Sequence, residues 1–125
     1  MPRSPLPAST ESQCDKLIAT MYGPNAIVRL GAKGQRTRNT DGVPDRLYWC
    51  PQGIVFFEVK SKTDYLSVPQ IAFLMNVLIR HGIAGCGNRD DLCTLLNATT
   101  DRERNNVGCR QVEKYRTRQK ALRGT

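Results

Sequence analysis

Asp45-Arg-Leu-Tyr-Trp-Cys50-Pro-Gln-Gly53-Ile-Val-Phe-Phe-Glu58-Val-Lys60 decides how this chain folds. Two β-rich runs, Asp45 to Trp49 and Ile54 to Lys60, flank Cys50-Pro-Gln-Gly53, whose Pro and Gly suit a hairpin turn, so the strands are expected to pair antiparallel. Side chains alternate along a strand, which sends Val55, Phe57 and Val59 to one face and Ile54, Phe56, Glu58 and Lys60 to the other. Burial of both phenylalanines implies a strand covered on both sides, where an ionised group is costly unless it is paired. Glu58 and Lys60 therefore belong at a rim. A four-residue loop, Cys50 to Gly53, sets Trp49 opposite Ile54, Leu47 opposite Phe56 and Asp45 opposite Glu58, with Cβ atoms roughly 4.5–5.5 Å apart. A three-residue loop would turn Asp45 to the other face, so facing carboxylates require the four-residue register or a bulge.

Outward from the hairpin the pattern is helical. Thr10-x-x-Gln13 reads as a capping box ahead of Cys14, Leu17, Ile18 and Met21, an amphipathic spacing stopped by Gly23-Pro24. Ala26 to Leu30 is a short β-rich run, and Gly31 to Gly42 is a basic loop carrying Lys33, Arg36 and Arg38. After the hairpin, Ser67-Val-Pro-Gln70 offers a second capping box with Pro in the first turn, followed by the stripe Ile71, Leu74, Met75, Leu78 and Ile79 and a stop at Gly82. Ile83 to Gly87 reads as a further short strand, and Asp90 to Leu96 as a short helix opened by acidic residues. Residues 1–8, with three prolines, are expected to be a flexible N-terminus, residues 9–100 one domain, and residues 101–125 a basic tail. That tail holds eight Lys or Arg against three acidic residues, a net +5, and without sustained periodicity it reads as a solvated extension, part helical at best.

The whole chain, 125 residues, carries a formal charge of +8, which favours polyanionic partners, nucleic acid first among them. No apolar run approaches the ~20 residues that span a bilayer, and the proline-broken N-terminus lacks the apolar core of a signal peptide, so no membrane partner and a cytoplasmic location are expected. Five widely spaced cysteines, with no Cys-x-x-Cys and one histidine, His81, do not make a zinc set and read as reduced thiols. His81 itself reads as a partner of a helix C-terminus.

Facing carboxylates at Asp45 and Glu58 repel, and a divalent cation is the natural remedy. All-oxygen coordination suits Mg²⁺ or Mn²⁺, with waters and the Val59 carbonyl as further ligands. Lys60, on the same face, is placed to handle the attacking water or to neutralise charge developing on a phosphate. The chemistry such a site serves is phosphodiester hydrolysis. The bland alternative is that Asp45 and Glu58 pair with Arg46, Lys60 and Lys62 in surface ion pairs of little consequence.

Gly42-Val-Pro-Asp45, the hairpin, Phe57-Glu58-Val59-Lys60-Ser61, and Leu66-Ser67-Val-Pro-Gln70 opening a helix that ends His81-Gly82 together resemble the PD-(D/E)XK nuclease superfamily, and within it the virus-type replication-repair nuclease (VRR-NUC) family. The likeness covers roughly residues 9 to 97. It implies an α/β, restriction-endonuclease-like αβββαβ core with a small mixed sheet flanked by helices. It also implies Mg²⁺ or Mn²⁺ dependence, metal ligation by Asp45 and Glu58, and catalysis aided by Lys60. Glu11 matches the acidic residue this family places on its first helix near the metals, against the plainer reading of a first-turn acid favoured by the helix dipole. Gln70 matches the family's active-site glutamine, against the plainer reading of a cap. Standalone members are similar to Holliday-junction resolvases, tend to be homodimers and are often encoded by phages.

The expectation is a metal-dependent DNA endonuclease that nicks duplex or structured DNA, with Lys33, Arg36, Arg38 and Lys62 on the DNA backbone. Its rivals are a sequence-specific restriction-type nuclease, for which 125 residues leave little room to read base edges, and a basic DNA-binding protein that has kept the fold without turnover.

Overall fold

The structure, a computed structural model, describes residues 9–30 and 42–122, with side chains through residue 116. Along the chain lie α1 (Thr10–Tyr22), a 3₁₀ turn (Pro24–Ala26), β1 (Ile27–Arg29), β2 (Arg46–Cys50), β3 (Gly53–Val59), α2 (Val68–Ile79), β4 (Ile83–Gly87), α3 (Arg89–Asn97) and α4 (Asp101–Leu122). The expectations for residues 1–8 and for Lys33, Arg36 and Arg38 lie outside the described residues.

The strands form one mixed sheet in the order β1-β2-β3-β4, antiparallel as far as β3 and parallel between β3 and β4. Parallel neighbours need a crossover, and α2 supplies it. Trp49 pairs with Ile54 and Leu47 with Phe56, the expected register. Cys50 and Gly53 also pair, so the turn tightens to Pro51 and Gln52 with Gly53 at a φ of 135°. The fold is therefore mixed α/β, a four-stranded sheet flanked by helices.

Each face of the sheet has its own apolar cluster. Tyr48, Val55, Phe57 and Val59 point to one side, where they meet Cys14 and Ile18 of α1 and Leu92 and Leu95 of α3. Phe56, Ala84 and Cys86 point to the other, against Leu74 and Leu78 of α2. The stripes are narrower than their spacing suggested: Met21 and Ile79, at the last turns of α1 and α2, are exposed. Ser9, not Thr10, caps α1, its hydroxyl accepting the Ser12 amide at 3.1 Å.

The expectation of a solvated tail is corrected. Residues 101–122 form the 22-residue helix α4, which packs on β4, α2 and α3 and buries Val107, Val112 and Tyr115. Tyr115 and Val112 complete the second cluster, and Val107 joins the first. Because β4 is an edge strand, its outer amides need partners, and Gln111 provides one: its Oε1 accepts the Cys86 amide at 3.2 Å while its Nε2 donates to the Asp91 carbonyl at 2.7 Å. Gly108 lets the helix sit this close, since a Cβ there would run into the Ala84 carbonyl and the Leu78 side chain. The helix is an edge cover, and of its five buried positions, Val107, Gly108, Gln111, Val112 and Tyr115, three carry apolar side chains, too few along a basic surface to register as an apolar stripe.

All five cysteines are unpaired thiols, and Cys14 and Cys86 are fully buried. Burial, with Asp15 adding to it, pushes the Cys14 thiol up to about 12, which leaves it inert. Among the described residues no helix is long and apolar enough to cross a membrane.

Candidate active site

Asp45 enters β2 one residue before the ladder begins, and Glu58 is the penultimate residue of β3. Continuing the register sets them opposite each other. Their link is reciprocal: the Asp45 amide donates to Glu58 Oε2 at 3.2 Å, and the Val59 amide donates to Asp45 Oδ2 at 3.1 Å. Gly42, at the head of the Gly-Val-Pro-Asp segment, adopts a φ of 84° and lies so close to the Pro69 backbone that a Cβ would overlap it. That contact seats Asp45 against the first turn of α2.

Glu58 is 2% exposed. Burial, and then the neighbouring Asp45 charge, push its carboxyl up to about 8, with Lys60 pulling the other way. Lys60 Nζ lies 3.9 Å from Glu58 Oε1, and the Lys60 amide is tied to the Gly87 carbonyl at 2.8 Å across the β3–β4 rim. Gln70 satisfies both of its readings. Its Oε1 accepts the Ser67 amide at 2.9 Å to close the capping box, while its Nε2 donates to Glu58 Oε1 at 3.0 Å. The cap thus aims the amide at the carboxylate.

Glu11 is not brought to this pair. Its Oε2 lies 3.3 Å from Arg46 Nη2, on the face of β2 opposite the Asp45 side chain. Arg46 is one residue the sequence reading missed as more than a surface ion-pair partner. It is buried, forms a two-point pair with Asp15 (2.9 and 3.2 Å), and donates from Nη1 to the Asp45 carbonyl at 3.1 Å. Burial opposes its charge, but the Asp15 hydrogen bond and charge outweigh it and raise the Arg46 pKa. Tyr48, fully buried, donates its hydroxyl to Asp15 at 3.0 Å. The signal was available: Asp15 sits on the same stripe of α1 as Cys14 and Ile18, and alternation puts Arg46 and Tyr48 beneath the sheet.

Among the described residues no group of three His, Cys, Asp or Glu gathers to hold a metal ion. Two carboxylates are nevertheless a donor set that suits Mg²⁺ or Mn²⁺, which is usually held by one or two carboxylates and keeps several waters. Burial first, and then the Asp45 charge, disfavour an ionised Glu58, and a cation at the two carboxylates would offset both. Lys62 is exposed in the turn after β3, and His81, at a φ of 64°, ends α2 by donating its amide to the Leu78 carbonyl at 3.1 Å. Comparison with family models, curated proteins and solved structures finds no match to this chain.

Proposed function

We propose that this chain is a divalent-cation-dependent DNA endonuclease of the PD-(D/E)XK type, with a restriction-endonuclease-like core and the VRR-NUC family as its kin. The observation that carries the reading is the clasp of Asp45 and Glu58 at the end of the hairpin, with Lys60 at 3.9 Å and Gln70 at 3.0 Å from the same Glu58 oxygen. A simple structural ion pair would match one carboxylate with one cation. Here a half-buried and a buried carboxylate share one rim with a single lysine.

Mg²⁺ or Mn²⁺ held by Asp45 and Glu58, with the Val59 carbonyl as a proposed further ligand, would supply Lewis acidity and an acidified water for phosphodiester hydrolysis. The residues do the rest. Lys60 puts a positive charge beside the carboxylates, where it stabilises charge developing on the phosphate. Gln70 fixes the orientation of Glu58, and Arg46, anchored on Asp15, holds the backbone of Asp45. The net charge of +8 supplies the sequence-independent attraction to DNA.

End-labelled duplex, flap, splayed-arm and four-way-junction oligonucleotides incubated with Mg²⁺ or Mn²⁺ test the proposal. Cleavage of at least one, abolished by EDTA, is expected, and paired cuts in the junction go with a homodimer that a sizing column would detect. Binding to all four without cutting any would make the chain a DNA-binding module instead.

A further inference from the structure

A groove begins one residue beyond Lys60. Two adjoining depressions of about 470 and 500 Å³, sharing Gln13 and Arg89 in their walls, run between α1, the Ser61–Asp64 turn and the start of α3. Lys16, Lys62 and Arg89 line them against a single carboxylate, Asp90, and all three cations are exposed.

The local structure presents these charges. Asp64 Oδ2 accepts both the amide and the hydroxyl of Ser61, each at 2.8 Å, which cinches the turn and projects Lys62 from its middle. Asn88 caps α3 by accepting the Asp90 and Asp91 amides, so Arg89 stands as the first helical residue at the groove's junction. Gln13, Lys16 and Thr20 recur at helical spacing along one side of α1. From Gln13 to Thr20 that side is about 10 Å long at 1.5 Å per residue, longer than a single phosphate group spans. A strand fits this length better than a lone phosphate does.

We propose that this groove is a phosphate-backbone track, in which Lys62, Arg89 and Lys16 hold phosphates of one DNA strand on the α1 and α3 side of the sheet, past the end of β3. The inference rests on the nuclease reading for its ligand, DNA. The ligand class is the phosphodiester backbone, read without regard to base sequence.

Fluorescence anisotropy of a labelled 20-base-pair duplex, measured in EDTA over a series of salt concentrations, tests it apart from catalysis. Each of K16Q, K62Q and R89Q is expected to flatten the salt dependence of log affinity by about 0.9, and the triple variant by two to three, with affinity at least tenfold lower. The control removes three exposed cations elsewhere, R80Q/R102Q/R110Q, and is expected to change the slope by less than one single groove variant does. An unchanged slope in the groove variants, or an equal loss in the control, overturns the track. If the slopes fall as expected but wild type cuts no substrate in Mn²⁺, the groove stands as a DNA-binding site and the nuclease reading fails.

Discussion

Asp45 and Glu58 clasp each other across the β2–β3 hairpin, amide to carboxylate at 3.2 Å and, through the Val59 amide, back to Asp45 at 3.1 Å. The clasp has a cost, because burial and mutual repulsion raise the Glu58 carboxyl from its ordinary 4.5 to about 8. Between those values the folded protein holds a proton the unfolded chain has lost, so stability is greatest below pH 4.5 on this account and falls as pH rises toward 8. Urea melts in EDTA from pH 5 to 9 should show this decline, and Glu58→Gln should flatten it. Mn²⁺ should restore stability to wild type at pH 8 and do little for Glu58→Gln. A wild-type profile that rises from pH 5 to 8 would contradict the account.

Gln70 serves its helix and Glu58 at once, and two substitutions separate the roles. Gln70→Ala loses the arm of the capping box as well as the Glu58 contact and should destabilise by about 1 kcal/mol. Gln70→Glu keeps an acceptor for the Ser67 amide but brings a third carboxyl to Glu58, so its stability should fall further with pH than that of wild type. Parallel pH profiles for Gln70→Glu and wild type would mean the contact has no electrostatic weight.

Arg46 and Asp15 are a buried pair, so removing one partner strands the other. Arg46→Ala should destabilise by about 3–5 kcal/mol in urea melts. Because the partners share one interaction, Arg46→Ala/Asp15→Ala should lose clearly less than the sum of its single variants. Additive losses would show that Arg46 acts mainly through the Asp45 carbonyl and Glu11.

Tyr115 donates to Asp91 Oδ2 at 2.7 Å, where Lys114 also pairs with the same carboxylate. Tyr115→Phe should cost about 1–2 kcal/mol, since Asp91 loses a buried donor. Ending the chain at residue 100 should remove cooperative thermal unfolding, because Leu74, Leu78, Ala84 and Cys86 lose their cover. A truncated chain that melts like the full one would return α4 to the standing of an appendage.

The hairpin register was legible because it rests on two-residue alternation and the Pro and Gly of one short turn, which together place Asp45 opposite Glu58. The helix after Ser67 was legible for the same local reasons, its capping box and stripe lying within a few turns. What escaped was long-range. Gln111 looks like any polar residue until β4 becomes an edge strand, and Gly108 is unremarkable until Ala84 lies beneath it. Alternation already put Arg46 beneath the sheet, but its pairing with Glu11 depends on how α1 crosses β2, a separation of 35 residues that no local pattern encodes.

Relaxation of supercoiled plasmid in Mn²⁺ is the most direct measure of the central claim. The account predicts nicking by wild type that EDTA stops and that Asp45→Asn, Glu58→Gln and Lys60→Ala each reduce at least a hundredfold, about 2.7 kcal/mol of barrier. Undiminished nicking by folded Asp45→Asn, or none by wild type, would contradict it.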